Sequence, residues 1–151
     1  MEIELCGIKV QIDKEDEQKI ALKKWHLDKK NYVVSGVWAS NTCKSLYLHR
    51  YVMGALFGDS RIVDHINGNI HDNRKENLRF VTKQQNTTNR SIHKNNKTGF
   101  KGVTIARKKY RARIRLYGTV IHLGIYETPE QAHAAYCEAS KKYHGEYGRI
   151  E

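Results

Sequence analysis

The stretch RIVDHINGNIHDNRKENLRFVTKQQNTTNR, Arg61 to Arg90, decides how this half of the chain folds. Arg61 to Ile66 predicts a short strand that ends at Asn67-Gly68, a pair suited to a turn. A polar loop follows as far as Asn77, and Leu78 to Val81 predicts a second short strand. Thr82-Lys83-Gln84-Gln85 has Thr at a cap position and Gln three residues later. That capping-box spacing predicts a helix from about Lys83 to Arg90. The order strand, long loop, strand, helix puts Asp64-His65 at the end of the first strand and Asn86 in the first turns of the helix.

Those residue types suit phosphodiester hydrolysis. The reaction needs a water made nucleophilic, and a histidine titrating near neutrality can do that. It also needs the leaving oxygen stabilised, which a hard divalent cation held by oxygen ligands can do. His65 is the candidate base, and Asp64 and the Asn86 carbonyl are the candidate ligands. Neighbours on a regular strand point to opposite faces, so Asp64 and His65 share one site only if the strand is distorted there. Plainer readings stand beside this one. Asp64-His65 could be a surface pair, and Asn77 and Asn86 could be cap or loop residues. A calcium loop starting at Asp64 fails, because its twelfth position is Lys75 rather than Glu. His49, His71 and His93 lack the spacing of a zinc site.

Upstream, residues 3–12 read as two short strands broken at Gly7. Asp13 is placed to cap a helix with an acidic start, running through Ile20 to Lys24. Strands are predicted at Trp25 to Leu27, Asn31 to Trp38 and Leu46 to Leu48. A helix with apolar Val52, Ala55 and Leu56 follows, stopping at Gly58. Downstream, Ser91 to Thr98 is polar and aperiodic and reads as a basic linker. Three strand-like runs come next: Val103 to Ala106, Tyr110 to Tyr117 and Val120 to Tyr126. Thr128-Pro129-Glu130-Gln131 is a strong helix start. Ala132, Ala135, Tyr136, Ala139 and Tyr143 form one apolar stripe, ending at Gly145. The expected class is α+β.

Charge is distributed unevenly. The net charge is +11 over 151 residues. Residues 1–45 nearly balance, with eight basic against seven acidic, whereas residues 97–128 hold eight basic against one acidic. A local excess of this kind is the footprint of a polyanion partner. Period two along Tyr110 to Leu116 puts Arg111, Arg113 and Arg115 on one face, opposite Ala112, Ile114 and Leu116. Such a sheet face can enter a DNA major groove, with Arg against guanine edges or phosphates. Lys101, Arg107 and Lys108 are the expected phosphate contacts. Cys6, Cys43 and Cys137 are odd in number and far apart, which points to a reducing compartment. With no apolar run near the ~20 residues of a membrane span and no signal-peptide pattern, a soluble intracellular protein is expected.

The residues at fixed spacing carry a resemblance. Leu48-His49-Arg50, Val63 to Asn69, Asp72-Asn73-Arg74, Glu76-Asn77-Leu78-Arg79, Val81-Thr82, Gln85-Asn86 and Asn89 resemble the HNH endonucleases of phages and their introns. The resemblance covers about residues 46–90, in the variant whose third signature position is Asn, common in the homing subgroup. It implies a ββα-metal fold and one Mg²⁺ or Mn²⁺ per site, held by Asp64 and Asn86. It also implies His65 as the base, and Asn77 as the brace of the loop that holds it. With one charged ligand the metal should be weakly held until a DNA phosphate joins it. Arg50 could touch a phosphate; structural support is the preferred role for it and for His49.

Gly99 to Val103, Tyr110 to Ile114, His122-Leu123-Gly124 and the helix to Gly145 resemble the ethylene-response-factor type of DNA-binding domain. The organisation expected is therefore an N-terminal β-rich segment (1–45), an HNH nuclease (46–90), a linker (91–98) and a DNA-reading module (99–149). The chain would cut double-stranded DNA at or near a recognised site as a homing or mobility endonuclease, acting as a monomer in a bacterial host's cytoplasm. A DNA-binding regulator with an inactive nuclease fold and a nonspecific degradative nuclease are the alternatives.

Overall fold

The computed structural model describes residues 1–39, 42–55, 57–93 and 95–150. The chain forms two compact units, Met1–Thr82 and Lys83–Glu151, and mixes helix with sheet in both.

The first unit opens with the hairpin β1 (Glu2–Leu5) and β2 (Ile8–Gln11), which turns at Cys6-Gly7. A 3-10 turn and the short helix α1 (Glu17–Ala21) follow. Asp13 stands at the N-cap position of the 3-10 turn, as expected from sequence, but its side chain makes no capping hydrogen bond. Its Oδ2 accepts the backbone N–H of Lys75 at 2.8 Å instead, so the carboxylate is used to anchor the long loop. The strands β3 (His26–Leu27), β4 (Val33–Ala39) and β5 (Thr42–Tyr47) make an antiparallel sheet in the order β3-β4-β5. Leu48, read as strand, starts the helix α2 (Leu48–Val52), which ends well before Gly58.

The stop comes at Gly54, at φ +68°, a left-handed conformation that glycine adopts without a Cβ penalty. The Gly54 N–H donates to the Tyr51 carbonyl at 3.1 Å, and the Ala55 N–H donates to the Arg50 carbonyl at 2.8 Å. That pair of bonds satisfies the last carbonyls of the helix and terminates it. Leu56, part of the longer helix expected, lies outside the described residues.

The two strands read from residues 61–81 form β6 (Ile62–His65) and β7 (Leu78–Val81), paired antiparallel. Their register is unbroken: Ile62 faces Val81, Val63 faces Phe80, Asp64 faces Arg79 and His65 faces Leu78. Val63 and Leu78 join Val10, Ile12, Ile20, Val33, Leu48, Val52 and Ala55 in one core. Burying a branched aliphatic side chain in this way contributes about 1.5–3 kcal/mol. The N-terminal hairpin therefore belongs to the same core as the candidate site strand. It also holds the loop directly, since the Gln11 N–H donates to the His71 carbonyl (2.9 Å) and the Asn73 N–H donates to the Gln11 carbonyl (2.8 Å).

The second unit starts with the helix α3 (Lys83–Thr88). By compactness the second unit begins at Lys83, inside the expected nuclease segment, because α3 is bonded to the module that follows. Thr88 Oγ1 donates to the Tyr147 carbonyl at 2.8 Å, and the Lys101 ammonium donates to the carbonyls of Thr88, Arg90 and Arg149, each at 2.7 Å. Lys94 of the expected linker lies outside the described residues.

The strands β8 (Val103–Ala106), β9 (Lys109–Leu116) and β10 (Thr119–Tyr126) form an antiparallel sheet with β9 central. The helix α4 (Pro129–His144) packs on it. At its start Thr128 Oγ1 accepts the Gln131 N–H, and the Gln131 side chain accepts the Thr128 N–H, so the capping box is complete in both directions. Ala132, Tyr136 and Ala139 are buried against Val103, Ala112 and Ile114. Tyr143, expected in that stripe, is exposed, and Ser140 is buried on the inner side instead. Gly102 lies at φ +76°, and a Cβ there would meet the Tyr136 ring at 2.0 Å. Only glycine lets the loop before β8 lie against α4.

Candidate functional site

His65 is the last residue of β6, buried to 6% exposure. Its Nε2 lies 3.4 Å from Asn73 Oδ1, while the Asn73 amide nitrogen donates to the Ile70 carbonyl at 3.5 Å. With the amide so oriented, its oxygen is placed to accept from Nε2–H in the tautomer that leaves Nδ1 as the acceptor. Two rings lie against the histidine and a third backs them. The His49 centroid is 5.0 Å away, edge to face, the Tyr32 centroid is 6.5 Å away, and Tyr47 packs on both Tyr32 and His49. Burial pulls the His65 pKa below its usual value of 6.5, although the Asn73 bond and the Asp64 and Asp72 charges work the other way. That direction favours the neutral imidazole, the form a proton acceptor needs.

The loop carrying His65 is locked by its own side chains. Asn77 is buried; its Oδ1 accepts the Asn67 N–H at 3.0 Å and its Nδ2 donates to the Asp72 carbonyl at 2.8 Å. The Ile66 N–H donates to the Asn77 carbonyl at 2.8 Å. Asp72, also buried, takes the Arg74 guanidinium on both oxygens at 2.8 Å, which holds its carboxyl below the usual range. The Asn67 amide donates to the same carboxylate at 3.0 Å. Asp72, Asn73 and Arg74 were visible as matching letters in the sequence, but nothing local in them told that Asn73 reaches back eight residues to the histidine ring.

Asp64 is buried beside its cross-strand partner Arg79, whose Nε and Nη2 donate to Oδ2 at 3.3 and 3.2 Å. The ladder through β6 is regular, so the anticipated distortion is absent from the strand; the sharp turn comes after it, at Asn67-Gly68. Asp64 and His65 are successive residues at the end of β6, paired with Arg79 and Leu78 of β7. Asn86, half-buried, sits on α3 in the second unit. Among the described residues no three His, Cys, Asp or Glu side chains gather into a ready-made metal cage. Next to His65 in the chain stands the Asp64 carboxylate, already paired with the Arg79 guanidinium. A carboxylate and the side-chain amide carbonyl of an asparagine are oxygen donors of the kind a hard divalent ion takes.

His49 and Arg50 do different work. The Arg50 guanidinium donates to the carbonyls of Arg61 (2.6 Å) and Asp59 (2.8 Å), so it fastens the entry to β6. His49 packs among the rings, and burial, then the nearby His65 and Arg50 charges, hold its pKa at about 3. The unfolded chain protonates His49 as pH falls through about 6.5; the folded protein does not until about pH 3. Stability should therefore fall across that window, by up to about 1.4 kcal/mol per pH unit for this group. Urea midpoints taken from pH 7 to pH 4 should drop more steeply for the wild type than for His49→Phe. Parallel curves would remove His49 as the source.

In the second unit Arg111, Arg113 and Arg115 are all exposed on one face of β9, with Ala112 and Ile114 buried on the other. The register sets Thr104 and Ile125 beside Arg111, His122 beside Arg113 and Val120 beside Arg115. Arg107 and Lys108 are exposed at the β8–β9 turn. A groove of about 740 Å³ is lined by Lys83 and Gln84 of α3, Arg113 and Arg115 of β9 and Val120 of β10, with no carboxylate among its described lining residues. Lys101, expected on a phosphate, instead has its three N–H groups on three carbonyls. Burial, with Arg149 nearby, lowers its pKa to about 8. It is a staple within the module rather than a free cation.

Comparison with known proteins gives this arrangement a class. Residues 46–88 match the family described as HNH endonuclease. They span Asp64, His65, Asn77 and Asn86, so the segment carrying the candidate site is the part of the chain that is similar to that family. A curated relative, "Uncharacterized HNH endonuclease L560" of Acanthamoeba polyphaga mimivirus, is 32% identical over 129 residues, 82% of this chain. The chain spans 64% of the length of that relative. A solved structure described as "DNA binding and cleavage by the HNH homing endonuclease I-HmuI" is 30% identical, covering 44% of this chain and 40% of that one. Its TM-score is 0.36, too low to bear on the fold. No helix among the described residues is long and apolar enough to cross a membrane.

Proposed function

We propose that the chain is a metal-dependent endonuclease that cuts double-stranded DNA at or near a site read by its C-terminal module, as a homing or mobility enzyme does. The observation that carries the reading is the buried His65, its ring beside Asn73 and its loop closed by Asn77, at the end of the strand bearing Asp64. Nδ1 of His65 takes the proton of the attacking water, and Asn73 and the surrounding rings keep that nitrogen aimed. Asn77 keeps the loop from opening. Asp64 and Asn86 are the residues that would hold one Mg²⁺ or Mn²⁺. When bound, such an ion supplies the positive charge that a departing oxygen needs.

The arginines of β9 read or grip the duplex, with Arg107 and Lys108 on phosphates. The basic stretch between residues 97 and 128 and the ERF-like pattern support that part. The resemblance also supports a phage or phage-like origin, a bacterial cytoplasm as the place of action and a ββα arrangement of β6, β7 and α3.

A supercoiled-plasmid assay tests the function. The purified chain with Mg²⁺ or Mn²⁺ should convert supercoiled to open-circular DNA, and EDTA should stop it. Tight DNA binding with no cutting under either ion would make the chain a DNA-binding regulator instead.

A further inference from the structure

Arg79 stands where a cation would be welcomed. Its guanidinium lies 3.2–3.3 Å from Asp64 Oδ2, and both side chains are mostly buried, at 15% and 9% exposure. The placement is set by register: Asp64 and Arg79 face each other across the β6–β7 ladder and leave the same face of the sheet. Neither can leave the other's neighbourhood without breaking that ladder. A divalent ion arriving at Asp64 meets a fixed positive charge already bonded to that carboxylate. Two like charges within one site oppose each other strongly where solvent is scarce.

The geometry points to Arg79 as the residue that keeps Asp64 from holding a divalent ion until DNA is present. This rests on the reading of Asp64 as a metal ligand. In the DNA-free protein the guanidinium neutralises the carboxylate, orients it and lowers its affinity for a second cation. A phosphate entering the site offers the guanidinium an anionic partner of its own, since arginine binds phosphate oxygens as readily as carboxylate. Asp64 then turns Oδ2 to the ion at the moment the phosphate can share it. Arg79 is a positioning residue, acting through Asp64, and its effect is to tie metal occupancy to substrate.

The test is Mn²⁺ binding to the DNA-free full chain, followed by electron paramagnetic resonance of the free ion. Arg79→Gln keeps a hydrogen-bond donor for Asp64 but removes the charge, and it should bind Mn²⁺ roughly tenfold more tightly than the wild type. Arg79→Lys keeps the charge and should behave like the wild type. Asp64→Asn, alone and combined with Arg79→Gln, should abolish the gain. Unchanged or weaker binding in Arg79→Gln, or binding by none of the variants, would overturn the role of Arg79. A gain that survives Asp64→Asn would show that the ion sits elsewhere, which removes Asp64 as ligand rather than Arg79 as a charge. Circular dichroism on each variant confirms that the fold is retained.

Discussion

His65→Ala is expected to lower plasmid nicking by roughly 10²–10⁴-fold, the usual contribution of a positioned proton acceptor. DNA affinity should change little, because the histidine is buried and belongs to the first unit, whereas the exposed arginines belong to the second. Truncating a buried ring also leaves a hole, so His65→Gln is the better control. Its amide can still meet Asn73, but it has no basic nitrogen. Both variants should be inactive while Gln retains more of the wild-type thermal stability. The pH profile of the wild type carries a second check. Burial pulls the imidazole pKa below 6.5, so the acid limb of the rate should lie below that value. Substantial cutting by both variants would end the case for His65 as base.

The second large effect belongs to β9. Replacing Arg111, Arg113 and Arg115 together with Ala should weaken duplex binding by roughly 100-fold or more, since each good arginine contact to a base is worth about 1–3 kcal/mol. The fold should survive, because all three side chains are exposed and the packing partners Ala112 and Ile114 are untouched. Single replacements then sort the roles. Removing an arginine that sits on a phosphate flattens the salt dependence by about 0.9 in log–log slope, whereas removing one that reads a base lowers affinity for the preferred sequence with little change in slope. Binding by the triple variant equal to wild type would mean that this face does not meet DNA.

These two predictions differ in how much of them a reader of the sequence could have reached. The arginine stripe is a period-two pattern, and alternation along a strand needs no knowledge of the rest of the protein. The same holds for the Thr128 to Gln131 cap and for the two strands around residues 62–81. Each depends on residues within a few positions of one another. The candidate residues Asp64, His65, Asn77 and Asn86 were legible for a related reason, as types at fixed spacings.

What surrounds them was not. Asn73 on the His65 ring, Arg79 on Asp64 and Asp13 on the Lys75 amide are contacts made across a loop, a ladder or some sixty residues of chain. Lys101 shows the limit most clearly. In sequence it is one more cation in a basic stretch. In the fold its ammonium lies among three carbonyls, those of Thr88, Arg90 and Arg149, and is spent there. The division at Thr82–Lys83 has the same origin, because α3 is held by bonds to residues that follow it by thirteen and fifty-nine positions.

The sequence by itself determined the local pieces, their inward and outward faces and the chemical types available for a site. The tertiary structure alone decided which of those groups meet, and so which side chain stands at His65 Nε2, which cation pairs with Asp64 and which lysine is not free. The physical reason is range. Backbone preference and side-chain alternation act over a few residues, whereas a side chain's partner, burial and charge state are set by whatever the fold brings within a few ångströms of it.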